Sequence, residues 1–510
     1  MRTLSFIIAL TLATFSLNAQ TAIHFDRPFH VAGEVAWFAA YAPQPAPKKI
    51  KATVFAPDGT AVDYFFLKED ANGQLNGYYR WPFEVATGYY RINLQAFTTD
   101  RRVIDLGTFR HAVYSDQRME PSATATAGKG NKLPAANGLT LQASPDGLQI
   151  GGLNGAAYSV SVVNTDVSGE TGEAFLQGTE TPRGPWLDTL FYNANVSLQD
   201  GSPVVTNLLP VFDPGRYEFG FAKTGPNGNF TLQLGAFEGE KDLQVRALDP
   251  ADIKPTVALP KLAAIGQEPP LTKEVAAYVD LSRRRRKIYQ LFATVETEIE
   301  AKITAEERRK LSPNRDFDVQ DYKAFPDMYT FFKEVGGELR VKVKKGNYSG
   351  RLYNAPNQRF FLDSPLYIVD GKLTQNENYI NTMSPAEVSY LAYYYVGSEL
   401  RKYFPALGNN GVIQIETLRE PTKFPEEDAD DIFAVKGLQP KASFQVRDAA
   451  DSDVPALSPL LLWKTGKGES SASISLPATD DFGSYRVLVI ARAADGSLRS
   501  VSKSFTVEVK

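Results

Sequence analysis

Apolar and polar residues alternate in short blocks along most of this chain, the signature of strands with one face buried. Val31, Val35, Trp37 and Ala39 recur at even spacings. Residues 51–55 and 89–97 alternate again, and Pro57-Asp58-Gly59 supplies the residues a tight reversal needs. A β-sandwich over 20–118 is predicted. Residues 119–137 are small, polar and rich in Pro and Gly, which predicts a linker. Strand patterns return at 158–163, 217–221, 229–234 and 242–247, predicting a second β-domain over 138–250.

Within a connector spanning 251–320, the period changes between Thr272 and Leu311. Tyr278, Leu281, Ile288, Phe292, Val295, Ile299 and Ile303 fall at spacings of three, four and seven, which predicts one face of a helix in a helical or mixed connector. Residues 295–303 also alternate strictly, so strand and helix stay open there. A mixed α/β unit is expected over 321–420. Its strand 365–370 runs into Gly371, a capping pattern sits at Ser384-Pro385-Ala386-Glu387, and a strand covers 412–417 after Gly411. The last β-domain, 421–510, holds strand patterns at 458–463, 471–476, 485–491 and 504–509. The fold class expected is mainly β: tandem Ig-like sandwiches with a helical segment and a small α/β insert.

Residues 1–19 combine Arg2, an apolar run and a small residue at Ala19, the layout of a signal peptide cleaved before Gln20. This layout implies an exported protein, its membrane association peripheral or through a partner. The 510 residues include no cysteine, which excludes disulfides, thiolate nucleophiles and an acyl anchor on Cys. The net charge of −4 argues against a nucleic-acid partner. The run 283–287 is basic, but glutamates at 296, 298, 300, 306 and 307 make a solvated helix face the better reading. Three histidines, His24, His30 and His111, lack zinc spacing, and no nucleophile elbow, P-loop or dinucleotide fingerprint occurs. No catalytic residue, metal or cofactor is expected. The acidic block 426–431 lacks the spacing of a calcium loop and reads as solvated.

Three stretches resemble known families. Residues 25–38, with Asp26, Pro28, Gly33, Glu34 and Trp37, resemble the opening of a macroglobulin-type domain of the α2-macroglobulin-like proteins, and Gly88-Tyr89-Tyr90 fits a later strand of it. Residues 365–417 are similar to the plug domain of TonB-dependent receptors. There the run ending in Asp370-Gly371 matches a strand and turn, and the run from Gly411 to Thr417 matches the closing strand. The stretch between Tyr390 and Leu407 departs from that pattern, with Tyr393, Tyr394 and Tyr395 in a row. Residues 461–464 and 481–485 look like a later macroglobulin-type domain. The resemblance implies a bacterial envelope protein joining macroglobulin-type sandwiches to a plug-like module. The segment after Thr417 is too short for a barrel, so a transporter is not expected. Thioester trapping needs a Cys and is excluded.

The functional expectation is a non-catalytic, protein-binding or structural module that docks an outer-membrane or periplasmic partner through the plug-like unit. Tyr393, Tyr394, Tyr395 and Phe404 are the candidate contacts, because aromatics anchor interfaces. Core packing is the alternative for them. Asp370 and Gly371 are expected to shape a turn and carry no chemistry, with Asp370→Asn nearly silent. Two rival functions stay open: an envelope glycan- or peptide-processing enzyme with an acid pair scattered in sequence, and secreted cargo with a C-terminal export domain.

Overall fold

The computed structural model describes residues 20–42, 44–117, 138–168, 175–180, 184–246, 253–292, 311–419, 424–425, 431–450, 453–493 and 495–508. The signal peptide, the linker, most of the acidic block and 295–303 lie outside them. The chain is mainly β and divides into two compact units. One draws on 1–190, 260–303 and 438–510, the other on 191–259 and 304–437.

The first unit begins with a sandwich. One sheet orders strands Phe175–Glu180, Gln20–Phe25, Val35–Tyr41 and Leu75–Arg80. The other orders Phe29–Val31, Val103–Tyr114, Gly88–Phe97, Lys49–Phe55 and Ala61–Lys68. Ile23, Phe25, Phe38, Ile50, Val54 and Ile92 close its core. Pro57-Asp58-Gly59 forms the expected turn, Gly59 having φ +86°.

A second sandwich of this unit departs from the sequence expectation. Strands Thr140–Ser144, Gly147–Gly151 and Ala157–Asn164 do not open a domain running to 250. They pair with strands near the other end of the chain. Ala157–Asn164 lies between Leu460–Lys467 and Gly483–Arg492, while Gly147–Gly151 pairs with Ser471–Ser475. Alternation reports which face of a strand is buried but not which strand lies beside it, so non-local pairing left no local mark.

The strand Val35–Tyr41 is buried at every position. Its Phe38 side fills the first core, while Val35, Trp37, Ala39 and Tyr41 pack on Val163, Leu460, Trp463 and Ile490 of the second sandwich. A sheet covered on both faces has no solvent side for polar residues to occupy, which accounts for the unbroken apolar run.

The second unit joins a β-sandwich-like part to a mixed sheet. Leu209–Asp213 lies between Glu218–Ala222 and Glu240–Val245, and Ile432–Lys436 extends that sheet. Ile253–Val257, expected in the connector, pairs instead with Leu190–Leu198. The mixed sheet orders Arg315–Asp318, Val388–Tyr394, Val412–Thr417, Leu366–Val369 and Lys372–Thr374, with a parallel pair at its centre. It starts before the expected boundary at 321. Ser384 begins only a 3-10 turn, Pro385–Glu387, with no side-chain cap. The helix lies earlier, at Glu377–Thr382, capped by Asn376.

Asp370 and Gly371 form the turn between Leu366–Val369 and Lys372–Thr374, with φ of 49° and 87°. The Asp370 carboxylate accepts from Thr417 N at 2.8 Å and faces Thr417 Oγ1 at 2.7 Å, pinning the turn to the end of the neighbouring strand. The same hydroxyl lies 2.6 Å from the Arg419 carbonyl, so an Asn amide could donate to it instead. Asp370→Asn should therefore leave the urea midpoint almost unchanged, while Asp370→Ala should lose about 1–2 kcal/mol. Gly371→Val should cost about 1–3 kcal/mol, because a β-branched residue is strained at this φ. Equal losses for Asn and Ala would refute the role given to Asp370.

Candidate functional site

The stretch from Asp26 to Glu34 folds into a buried charge cluster. After the strand Gln20–Phe25 the chain bends through Asp26-Arg27-Pro28, adds Phe29–Val31, and reverses as Glu34 N donates to Val31 O at 3.0 Å. Gly33 carries that reversal at φ +86°, and a Cβ there would fall 2.3 Å from the Phe83 ring. Asp26 Oδ1 accepts from Trp37 N at 3.0 Å, while Asp26 N donates to Trp37 O at 2.9 Å. Asp26, Pro28, Glu34 and Trp37 are buried in this one corner, with Gly33 half-buried beside them.

Arg27 lies between the two carboxylates. Its Nε is 3.2 Å from Asp26 Oδ2, and its Nη1 is 3.4 Å from Glu34 Oε2 and 2.6 Å from the Tyr278 hydroxyl. Glu34 accepts from Val31 N at 2.9 Å, Tyr278 at 2.8 Å and Ser282 at 3.1 Å. His30 Nε2 is 3.2 Å from Asp26 Oδ1, and His30 Nδ1 is 2.7 Å from His111 Nε2. Burial pushes both carboxyls up, but their charged and hydrogen-bonded neighbours outweigh it, so Asp26 and Glu34 are held below the ordinary range. Burial, with His30 and Arg27 nearby, drives His111 well below its ordinary value.

Tyr278 and Ser282 come from the helix Lys273–Leu291, which starts at Thr272 with Thr272 Oγ1 accepting from Val275 N. Its buried face is Val275, Tyr278, Val279, Ser282, Arg285 and Tyr289, which shares only Tyr278 with the described part of the predicted stripe. Leu281 and Ile288 are only half-buried, and Phe292 is exposed. Arg285 and Ser282 belong to the inner face because Asp481 and Glu34 receive them, so an apolar count selected a rotated stripe. The basic run is likewise not a uniformly solvated face. Arg285 is 1% exposed with Nη2 2.7 Å from Asp481, and Arg286 pairs with Asp116 at 3.3 Å. Tyr289 donates to Leu457 O at 2.6 Å, so the helix holds both sandwiches of this unit.

Beside the cluster lies a cavity of about 170 Å³, walled by Trp37, Phe83, Tyr289 and Phe444, with Arg80 and Arg286 among its lining. Small-molecule sites usually enclose about 300–1,000 Å³, so this one suits a single side chain.

His24 lies in a second cluster, with Nδ1 2.6 Å from Ser159 Oγ and Nε2 3.3 Å from Ser161 Oγ; Tyr41 Oη is 2.6 Å from Ser159 Oγ. A Ser–His contact is the pairing nucleophilic catalysis uses. Here both residues are fully buried between the two sandwiches, where no substrate reaches them, and they join the sheets. His24 and His30 thus point to separate clusters rather than a metal pair, and the described residues hold no group of three or more metal-ligand side chains.

The second unit corrects the candidate contacts. Tyr393, Tyr394 and Phe404 are 0%, 2% and 1% exposed. Tyr393 fills one core and Tyr394 with Phe404 the other, on opposite faces of the mixed sheet. Tyr395 is half-buried against the first of these. Consecutive aromatics on a strand covered on both sides must enter two cores. Gly411, at φ +88°, is structural too, since a Cβ there would lie 2.5 Å from Leu352. A buried acid was missed by sequence reading: Glu377, pushed up by burial, inside the same unit. Its lone charge on a short helix gave no pattern to find.

No family model matches the chain, and no curated protein does. Among solved structures, the trypsin-activated α2-macroglobulin of Escherichia coli superposes at 10% identity and a TM-score of 0.23, over 96% of this chain and 41% of that one. The chain therefore spans less than half of that macroglobulin. The tetra-tandem repeat of a large adhesion protein superposes at 9% identity and a TM-score of 0.14, over 94% and 96% of the two chains. The Ca²⁺-stabilised adhesin with which an Antarctic bacterium binds ice gives 10%, 0.13, and 93% of each chain. At these scores the likenesses carry no weight for function.

Burial drives His24 down to about 3 from an ordinary 6.5. Below pH 6.5 the unfolded chain binds a proton that the native state refuses, so this stability is full above 6.5 and lost as pH falls towards 3. Asp26 and Glu34, both depressed, lose their contributions only at lower pH. From pH 7 to 5 the wild type should lose about 2 kcal/mol that His24→Gln does not. Denaturant midpoints check this, and identical losses would refute it.

Proposed function

We propose that this chain is a non-catalytic exported envelope protein whose work is to bind or brace other macromolecules. The observation that carries the reading is the closure of its most chemically capable groups. Asp26, His30, Glu34, His111 and the His24–Ser159 pair are buried and engaged with one another. Groups so placed stabilise a fold, and reaction with a substrate would require unpacking it. No helix among the described residues is long and apolar enough to cross a membrane.

The finer reading is that the unit holding the plug-like stretch docks an outer-membrane or periplasmic protein. With Tyr393, Tyr394 and Phe404 committed to the core, docking would fall to exposed apolar side chains such as Leu362, 78% exposed. Affinity purification from membranes should recover a stoichiometric envelope protein, and Leu362→Asp should weaken that recovery without lowering stability. Isolation without a partner, joined to release of soluble fragments from envelope glycan or peptide, would replace this reading with the enzyme one.

A further inference from the structure

The ribbon Leu339–Lys344, Asn347–Asn354 and Arg359–Phe360 concentrates positive charge in a chain whose net charge is −4. Arg340, Lys342, Lys344, Lys345, Arg351 and Arg359 are its charged residues, and all six are exposed. Among the described residues none of them forms an ion pair. Four of the cations, Arg340, Lys342, Lys344 and Arg351, share one face, while Arg359 stands opposite Asn354 on the Leu352 side. Arg340 stands opposite Arg351, Lys342 opposite Ser349 and Lys344 opposite Asn347, while Leu339 and Leu352 turn into the core.

Charged residues on an edge strand commonly serve to block unwanted pairing. That accounts for Lys342 and Lys344 on the outer strand. It does not account for Arg351, which lies on the middle strand directly across from Arg340. Like charges directly opposite each other cost stability, and no acid among the described residues pairs with them. The Arg340 guanidinium rests over the Phe360 ring at 4.4 Å, which holds it on the exposed face. Successive cations along the outer strand are about 7 Å apart.

We infer that this ribbon is a docking face for a membrane surface rich in anionic phospholipid. A row of exposed cations spaced about 7 Å apart suits the closely spaced phosphates of an anionic membrane surface. The ribbon's tip adds an apolar contact, because Val343 is 48% exposed beside the tight Lys345-Gly346 turn, with φ of 52° and 81°. The choice of lipid over nucleic acid rests on the exported-envelope reading above.

The test is co-sedimentation of the full-length exported protein with phosphatidylglycerol–phosphatidylethanolamine vesicles, beside pure phosphatidylcholine vesicles. Binding is expected to the anionic vesicles only and to weaken as salt rises. The quadruple variant Arg340→Gln, Lys342→Gln, Lys344→Gln, Lys345→Gln should lose about fivefold per cation, several hundredfold in all. A control with the same charge change elsewhere, Lys223→Gln, Lys254→Gln, Lys441→Gln, Lys503→Gln, should bind nearly as wild type. The inference is overturned if wild type ignores anionic vesicles, or if both variants lose equally. It is also overturned if inorganic phosphate or a single-stranded oligonucleotide competes at lower concentration than the lipid. Partner recovery measured on the same variants separates the two readings, since the ribbon variant should keep its Leu362-dependent partner.

Discussion

A carboxylate removed from water has to be met by a cation and by donors for its remaining lone pairs, or the site unfolds to hydrate it. Glu34 imposes that requirement on the first unit. Its two oxygens are met by a main-chain amide, by Arg27, and by Tyr278 and Ser282 from a helix nearly 250 positions along the chain. Once Glu34 is buried, the helix Lys273–Leu291 has to lie where it does. Phe29, Val31 and Tyr114 then cover Val275, Tyr278 and Val279. The same helix reaches the second sandwich through Arg285 and Tyr289.

This arrangement gives the buried charges a job that differs from catalysis. A pair of acids flanking an arginine could look like an acid–base centre on a residue count. Their pKa values move the wrong way for a general acid, since both are depressed and stay ionised. Glu377 moves the other way, pushed up by burial, but it lies in a core beside the helix that bears it. The exposed cations Arg340, Lys342, Lys344 and Arg351 of the basic ribbon stand outside these buried networks.

Much of the local structure could be read from the chain. The strand Asn229–Leu234 matches its sequence pattern residue for residue, as does Val412–Thr417, and the turns at Gly59 and Gly371 stand where their residues predicted. Strand partners could not be read, because Ala157–Asn164 alternates in the same way whether its neighbour is local or Gly483–Arg492. The inner face of the helix is hidden from a local pattern for a related reason. Arg285 and Ser282 look solvent-facing by type and are inner-face residues only because Asp481 and Glu34 wait for them. The motif residues Asp26, Gly33, Glu34 and Trp37 were visible, but their meaning, a socket for a distant helix, depends on contacts no local pattern contains.

Glu34 and Tyr278 clamp the helix to the first sandwich. A double-mutant cycle with Glu34→Gln, Tyr278→Phe and the pair, measured by denaturant unfolding, tests this clamp most directly. A coupling energy of about 1–3 kcal/mol is expected, as for contacting residues within one buried network. Additivity within about 0.5 kcal/mol would show that the Glu34–Tyr278 contact does not hold the helix and would contradict the account.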